Sequence, residues 1–236
     1  MNCFLIQEPK VNIAVVYCCP VESVGPQYPG YASEFAASMA EHEPGYPYQL
    51  VVVSNGGPPS EAIKTVFEPF NPLYLIHDNR GYDLGAYQLA AQQVPCDLMV
   101  FCGSSAYVRG PGWMRRIAES FLKHGYALYG TMVNTGDPAT DVHPHIRTTC
   151  FWCPPELFNL YPVKVLTPYQ RYPFEHGYDN LTMYLQKLGL ATLMVAWDRE
   201  YDFPEWRSIP NGFHAGDQSG LILGDRISRP PYWHTK

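Results

Sequence analysis

Short runs of apolar residues alternate along the chain with segments in which apolar residues recur at helical spacing. Short apolar runs bounded by Gly, Pro and polar residues are typical of buried strands, whereas longer periodic segments favour helices. The strands predicted in the first half are 12–17, 49–53, 73–77 and 98–102. The helices predicted between and after them are 31–41, 60–67, 83–93 and 113–123. This alternation predicts an α/β fold with a mainly parallel sheet.

The second half follows a looser pattern. Its predicted elements are strands at 127–133, 146–152 and 192–197, a loop at 135–144, a short helix opened by Pro154 and Pro155, and a helix at 178–188. From residue 204 onward the chain is rich in Gly, Pro and aromatic residues without a period, which is typical of a functional lid or of a loosely ordered segment. The length suits one domain, residues 1–236.

Polar and Gly-rich clusters follow three of the predicted strands. They are Ser54-Asn55-Gly56-Gly57, Asp78-Asn79-Arg80-Gly81 and Gly103-Ser104-Ser105. The carboxyl ends of parallel strands lie at one edge of a sheet, and ligands bind there. We therefore expect the three clusters to meet at one pocket, although any one of them alone fits a plain turn equally well.

The residue types in these clusters suit a nucleotide. Ser54 and Asn55 offer hydroxyl and amide groups that hydrogen-bond a base or a ribose, and glycine allows close approach of the backbone. Arg80 beside Gly81 at the predicted start of a helix favours a diphosphate, because a guanidinium and helix N-terminal N–H groups both attract phosphate. Asp83, in the first turn of that helix, also fits a simple helix cap.

Composition narrows the class of ligand. The formal net charge of the 236 residues is −6, so nothing indicates electrostatic binding to nucleic acid. The 18 Tyr and 5 Trp suit a carbohydrate cleft, although aromatic residues equally fill cores. No apolar run approaches the roughly 20 residues of a membrane span, and the seven cysteines lack a disulfide framework. A cytoplasmic protein is therefore expected.

Taken together, the motifs resemble the donor-binding half of family 2 glycosyltransferases, nearest the branch that includes rhamnan synthesis protein F. The resemblance is carried by Ser-Asn-Gly at 54–56, Asn-Arg-Gly-Tyr-Asp-Leu-Gly-Ala at 79–86 and Gly-Ser-Ser at 103–105. A related branch has Ser-Ser-x-x-Arg-Gly-Pro after the fourth strand, where residues 104–111 here read Ser-Ser-Ala-Tyr-Val-Arg-Gly-Pro. The resemblance covers about residues 10–200 and is strongest between 50 and 115.

The resemblance implies a GT-A-like fold, which is an α/β fold with a Rossmann-like, mixed and mostly parallel sheet flanked by helices. Residues from about 10 to 115 are then expected to bind a nucleotide-diphosphate sugar, and residues 116–236 to bind an acceptor and supply a base. The implied activity is transfer of a hexosyl or deoxyhexosyl group to a glycan or other hydroxyl acceptor, with inversion, as in polysaccharide biosynthesis. The donor-binding residues expected on this basis are Ser54, Asn55, Asn79, Arg80, Gly81, Asp83, Gly103, Ser104, Ser105 and Arg109.

The chain departs from the family at the metal site. Most GT-A enzymes have Asp-x-Asp after the fourth strand, whereas Gly103-Ser104-Ser105 stands there in this chain, and hydroxyls are poor ligands for Mg²⁺ or Mn²⁺. One alternative is transfer without a tightly bound metal, with Arg80, Arg109 and helix N–H groups offsetting the diphosphate charge. The others are a metal held by Asp83 or another carboxylate, and an inactive relative that only binds nucleotide or glycan.

The catalytic base is expected in the second half. The family carries it at the start of a late helix, and Asp179 is the first candidate by spacing, with Glu175 one turn upstream as the second. Asp179 also fits an ordinary helix N-cap, and Glu175 a solvated loop. The resemblance makes His145 an acceptor-side or phosphate-side candidate, although an ordinary loop histidine also fits this position. Trp206 and His214 are further acceptor-side candidates, by analogy with a closing C-terminal loop, or they belong to a surface tail packed by its aromatics.

A different class of protein is also possible. His143, His145, Cys150 and Cys153 have residue types that bind zinc, and Cys150-Phe-Trp-Cys153 has the spacing of a thiol redox motif. A strand across 146–152 would, however, point alternate side chains to opposite faces. Zinc or thiol chemistry is therefore the less favoured alternative.

Overall fold

A computed structural model describes residues 10–137 and 139–229 of the chain. The strands of its main sheet are β1 Ile13–Pro20, β2 Gln49–Asn55, β3 Leu73–His77, β4 Leu98–Cys102, β6 Leu128–Gly130, β9 Cys150–Cys153, β10 Thr192–Val195 and β11 Glu200–Asp202. Two further pairs lie outside this sheet: β5 Tyr107–Val108 with β12 Leu223–Gly224, and β7 Val133–Asn134 with β8 His145–Ile146.

Among the described residues, seven α-helices accompany these strands. They are α1 Tyr28–Glu41, α2 Glu61–Phe67, α3 Tyr82–Gln93, α4 Trp113–His124, α5 Pro155–Phe158, α6 Pro168–Glu175 and α7 Leu181–Lys187. Short 3₁₀-helices cover Glu68–Phe70, Phe203–Ser208 and Arg226–Ser228.

The main sheet is mixed and mostly parallel, with the order β11-β10-β6-β9-β4-β1-β2-β3. The four strands β3, β2, β1 and β4 run parallel, as do β6 and β10, whereas β9 is antiparallel to both its neighbours and β11 to β10. Every residue of β1 is buried, which is why its sequence is one apolar run. The predicted α/β fold class is confirmed.

Two predicted strands are each divided between sheets. The segment 127–133 forms β6 in the main sheet and then β7 in a small one, and 146–152 forms β8 and then β9 in the same way. The chain leaves the main sheet at Thr131, a buried residue whose hydroxyl accepts a hydrogen bond from the backbone N–H of Ile222 (2.9 Å). Gly130 allows β8 to pack closely here, because an added Cβ would overlap Ile146. Contacts of this kind between distant residues do not affect the local hydrophobic pattern, so the division of these strands could not be predicted from it.

The second half also contains a helix that the sequence did not predict. α6 has Pro168 in its first turn and Pro173 inside it, and two prolines normally indicate a break. Pro168 is tolerated because a helix leaves its first N–H groups unpaired in any case. The following helix, α7, begins later than expected, and its N-cap is Asn180, whose side chain accepts from the Met183 N–H (3.1 Å). Asp179 is therefore outside the helix and is not its N-cap.

Residues 203–229, which we call the C-terminal segment, are packed against the rest of the chain. Leu221, Ile222 and Leu223 are fully buried, and β12 pairs with β5. The 3₁₀-helix that starts at Phe203 carries a capping box between Asp202 and Glu205. This segment reaches the carboxyl edge of the main sheet, where it contributes to the site described below. Within the described residues no helix is both long and apolar enough to cross a lipid bilayer.

Candidate functional site

A cavity of about 390 Å³ opens where β1, β2 and β4 end, and we call it the strand-end cavity. Residues from the start of α1, the β3–α3 loop, the β8–β9 segment, the end of α6 and the last 3₁₀-helix complete it. Its lining residues are Cys18, Pro20, Val24, Gln27, Tyr28, Tyr31, Asn55, Asn79, Tyr82, Asp83, Gly103, Ser104, Ser105, His145, Arg147, Thr148, Thr149, Arg171, Glu175, His176, Asp225, Arg226 and Ile227. The three polar clusters predicted from the sequence each contribute to this one cavity.

The loop between β3 and α3 has an unusual backbone. Asn79, Gly81 and Tyr82 have φ values of 69°, 72° and 55°, in the left-handed region that side chains other than Asn and Gly rarely adopt. Gly81 is also required for close packing, because an added Cβ would overlap the carbonyl oxygen of Val165. Strain of this kind concentrates at functional sites. The loop brings Asn79, Tyr82 and Asp83 to the cavity wall.

A buried polar contact joins the ends of β1, β2 and β3. The amide of Asn55, which is only 1% exposed, lies 2.7 Å from His77 Nδ1 and donates to Cys18 Sγ (3.5 Å). The backbone N–H of Asn79 also contacts His77 Nδ1, at 3.2 Å. Burial lowers the pKa of His77, so the ring is neutral near pH 7. Asn55 thus lines the cavity and also connects the end of β2 to residues near the ends of β1 and β3.

One arginine of the cavity lies between two carboxylates. Arg171 Nε is 2.7 Å from Glu175 Oε2 and 3.8 Å from Asp83 Oδ1. Thr148 donates a hydrogen bond from its hydroxyl to the other oxygen of Glu175. Burial raises the pKa of Asp83 to about 6, Arg171 opposes that rise and Glu175 adds to it. A cluster of charged groups around a carboxyl group with a shifted pKa is typical of a site that handles charge or protons.

Two histidines form a hydrogen-bonded pair beside these carboxylates. His145 Nδ1 lies 2.7 Å from the carbonyl oxygen of His143, which can only accept, so this nitrogen carries the hydrogen. Burial lowers the pKa of His145 to about 4, and its unprotonated Nε2 accepts from Nδ1 of His176 at 3.2 Å. Burial also lowers the pKa of His176, whose Nε2 is 3.7 Å from Glu175. The pair is neutral at pH 7 and has a fixed tautomer.

A second arginine is held by the C-terminal segment. Arg147 Nη2 lies 3.2 Å from Asp225 Oδ2, and its guanidinium carbon is 4.7 Å from the centre of the Phe213 ring. Its Nε is buried and has no hydrogen-bond partner among the described residues. Asp225 is 1% exposed and also accepts the backbone N–H groups of Ile227 and Ser228. The cavity wall here depends on residues 78 positions apart.

Several residues predicted as site members lie elsewhere. Ser54 is buried and bonds the carbonyl oxygen of Gly57 (2.6 Å). Arg80 is largely exposed and pairs with Asp78, and Arg109 bonds the Tyr107 hydroxyl (3.2 Å). None of the three is among the described residues that line the cavity.

The candidate base Asp179 also lies outside the cavity lining. Its side chain is 64% exposed, and its carboxylate forms an ion pair with Lys187. Glu175, the other candidate, lines the cavity and is 6% exposed.

The remaining acceptor-side candidates are separated. His145 lines the cavity. Trp206 is buried and donates from its indole N–H to the carbonyl oxygen of Tyr201 (3.3 Å), while the His214 ring lies against Phe213, with 3.8 Å between ring centres. Neither Trp206 nor His214 is among the described lining residues.

The alternative zinc set is not assembled. Cys150 Sγ donates to the carbonyl oxygen of Gly224 (3.7 Å), while Cys153 lies on the opposite face of β9. Burial raises the pKa of both thiols, which disfavours the thiolate that metal binding and redox chemistry require. In the described part of the chain no group of three or more His, Cys, Asp or Glu side chains is arranged to hold a metal ion.

Sequence reasoning missed several lining residues that carry charge or hydroxyl groups. Those with polar contacts described above are Arg147, Thr148, Arg171, His176 and Asp225. Arg147 lies two residues after the predicted His145, and Arg171 one helical turn before Glu175, so a search for cations near the candidate acids and bases would have found both. Asp225 carries no such local signal.

Comparisons with known proteins bear on the fold. No protein-family model matches the chain, and no curated protein sequence matches it. Among solved structures it is similar to apo mouse xyloside xylosyltransferase 1, with a TM-score of 0.50 and 11% identity, over 79% of this chain and 86% of that one. At this identity the likeness shows the fold alone, which is GT-A-like.

Two further glycosyltransferases resemble the chain less closely. The mannosyltransferase PcManGT from Pyrobaculum calidifontis, solved with GDP-Man and Mn²⁺, has a TM-score of 0.46 and 13% identity, over 66% of this chain and 48% of that one. TarS from S. aureus has a TM-score of 0.44 and 14% identity, over 64% of this chain and 30% of that one. The chain therefore spans less than half the length of either protein.

Proposed function

We propose that the protein transfers a sugar from a nucleotide-diphosphate sugar to a hydroxyl group of a glycan or another acceptor, and that the strand-end cavity is the reaction site. The observation that carries the proposal is the position of Asn55, Asn79, Asp83 and Ser104 around one cavity at the carboxyl edge of a GT-A-like sheet. Ligands of open α/β sheets bind at that edge. The cavity volume of about 390 Å³ also suits a small-molecule site.

The lining divides into two sides. On the proposed donor side are the residues that follow β2, β3 and β4, namely Asn55, Asn79, Tyr82, Asp83, Gly103, Ser104 and Ser105. On the proposed acceptor side are His145 and His176 with Glu175. Tyr28 and Tyr31 add two half-buried aromatic rings to the lining, and such rings bind sugars and bases through their faces.

In the proposed reaction, the acceptor oxygen forms a bond to the anomeric carbon of the donor while the bond from that carbon to the diphosphate breaks. The configuration at the anomeric carbon inverts. The hydroxyl proton passes to a carboxylate, and the nucleoside diphosphate leaves with the electron pair. This assignment of inversion follows the family resemblance.

Glu175 is the proposed base. It lines the cavity, whereas Asp179 forms an exposed ion pair outside it. Thr148 and Arg171 each bond one oxygen of Glu175, and an ionised carboxylate has about four lone-pair positions, so positions stay open for a substrate proton. The same two contacts fix the orientation of the side chain.

The test measures donor consumption and acceptor glycosylation by mass spectrometry with a panel of nucleotide sugars. Replacing Glu175 by Gln is expected to lower turnover by about 10² to 10⁴, the usual contribution of a general base, with nucleotide affinity changed by less than about threefold. Glu119→Gln, on the exposed side of α4, is the matched control. Asp179→Asn should keep its activity; if Asp179→Asn loses turnover while Glu175→Gln keeps it, the assignment of the base is wrong.

A binding protein without catalysis is the second candidate. The replacement of an acidic motif by Gly103-Ser104-Ser105 favours it. Nucleotide binding in the same panel, with neither transfer nor slow hydrolysis of any donor, would support this candidate against the transferase.

A further inference from the structure

Every carboxylate among the described lining residues of the strand-end cavity is already engaged. Asp83 and Glu175 lie on either side of Arg171. Asp225 accepts two backbone N–H groups with Oδ1 and faces Arg147 with Oδ2 at 3.2 Å. Each acid of the cavity therefore has an arginine as its partner.

This arrangement does not fit a divalent cation. Mg²⁺ and Mn²⁺ are bound mainly by carboxylate oxygens, and the positions that follow β4 carry Ser104 and Ser105. The described residues include no group of three or more His, Cys, Asp or Glu side chains placed to hold a metal ion. A cation entering the cavity would meet carboxylates whose negative charge an arginine already offsets.

The arginines offer an alternative way to bind phosphate. Arg171 forms ion pairs with two carboxylates. Arg147 forms an ion pair with one carboxylate, through one nitrogen, and its side chain is 19% exposed. A guanidinium in such a partly buried position interacts more strongly with an anion than one in open solvent. Phe213 lies against its face and keeps the planar group in place.

A second arginine lines the same cavity. Arg226 lines the cavity, is exposed, and forms no ion pair within the part of the chain that the structure describes. It follows Asp225 directly, so the residue that fixes Arg147 also places Arg226. Both guanidinium groups can donate charge-assisted hydrogen bonds to phosphate oxygens.

We propose that the diphosphate of the donor binds at Arg147 and Arg226 and that nucleotide binding needs no divalent cation. This inference rests on the proposed function. In place of a metal ion, two positive side chains offset the negative charge that the leaving diphosphate gains as its bond to the sugar breaks.

The test is isothermal titration calorimetry of the full chain with UDP, GDP, ADP, CDP and dTDP, in excess EDTA and again in excess MnCl₂. For the nucleotide that binds, the two Kd values should agree within about threefold. Arg226→Ala should weaken binding by about tenfold or more, the usual effect of losing a charge-assisted hydrogen bond. Its matched control is Arg207→Ala, since Arg207 is also an exposed arginine in a 3₁₀-helix.

Arg147 needs a milder substitution, because removing its charge would leave Asp225 buried and unpaired. Arg147→Lys keeps the charge but loses the planar fork, and it should weaken nucleoside diphosphate binding severalfold. The same nucleoside without phosphates, measured by ligand-observed NMR, should bind both Arg147→Lys and Arg226→Ala as it binds the wild type. A purely structural defect would weaken both ligands.

The outcomes separate the two proposals. Binding that appears only with MnCl₂, or that is unchanged in both arginine variants, overturns the metal-independent site and leaves the proposed transferase standing. No binding of any nucleoside diphosphate under either condition overturns the proposed function and this inference together.

Discussion

Replacing His145 by Asn should make the free energy of unfolding less sensitive to acidification than it is in the wild-type protein. His145 is 1% exposed, donates to the carbonyl oxygen of His143 and accepts from His176. Burial lowers its pKa from 6.5 to about 4, so near pH 5 the ring stays neutral in the native protein but takes up a proton when the chain unfolds. The unfolded state then binds more protons, and native stability falls as the pH drops below the unfolded pKa.

The magnitude follows from the two pKa values. A pKa of 6.5 in the unfolded chain and about 4 in the native one gives a loss of about 2 kcal/mol near pH 5 and almost none near pH 8. Asp83 acts in the opposite sense, because burial raises its pKa to about 6 and the native state then gains a proton on acidification. Wild type and variant both contain Asp83, so its contribution cancels in their difference.

The assay is urea unfolding followed by tryptophan fluorescence at about pH 8 and about pH 5. His145→Asn is expected to be less stable than the wild type at pH 8, because it loses the contact with His176. That deficit should shrink by about 2 kcal/mol at pH 5. His42→Asn, at the solvent-accessible end of α1, should show the same difference from wild type at both pH values. An equal deficit for His145→Asn at both pH values would refute the reasoning.

Two further predictions concern stability. Burial acts to raise the pKa of Glu200, but hydrogen bonds from Lys123 and Arg116 hold this pKa at about 2. The carboxylate therefore stabilises the fold above about pH 4.5, and that contribution is lost as the pH falls toward 2. Glu200→Gln should cost about 3 kcal/mol near pH 7 and much less near pH 2 in urea titrations; a constant cost would contradict this. An added Cβ at Gly85 in α3 would overlap a backbone carbonyl oxygen, whereas Gly30 in α1 faces open space. Gly85→Ala should therefore lower the free energy of unfolding by about 2 kcal/mol or more, while Gly30→Ala stays neutral or gains up to about 1 kcal/mol; thermal melts showing equal effects would contradict this.

The first half of the fold could be predicted because its strands are parallel and three of them, β1, β2 and β4, are buried on both faces. Such strands appear in the sequence as apolar runs that end abruptly in polar residues. The run 49–53 followed by Ser54 and Asn55 is one example, and β2 ends at Asn55. Three such ends could be expected at one edge of the sheet, and residues from all three line the cavity.

In the second half β10 and α5 were predicted, but much of the rest could not be predicted at this level. The strands β6, β8 and β9 are only two to four residues long, which is too short for a period to show. The choice between Glu175 and Asp179 depends on where α6 ends and α7 begins, and the prolines of α6 concealed that boundary.

The residues missed at the site have the same explanation. Arg147 and Asp225 meet because β12, which directly precedes Asp225, pairs with β5. No local pattern connects two positions so far apart in sequence. The sequence predicted which strand ends would form the site, while tertiary packing decided which side chains from the second half would join them.

The position of residues 221–228 late in the chain determines when the wall of the strand-end cavity is completed during synthesis. Asp225 and Arg226 emerge from the ribosome long after β1, β2 and β4, so one wall of the cavity is still missing when these strands have been synthesised. Until Asp225 arrives, Arg147 lacks its carboxylate partner. The cavity described here is thus complete only after residues 221–228 have been synthesised and have packed against the earlier strands.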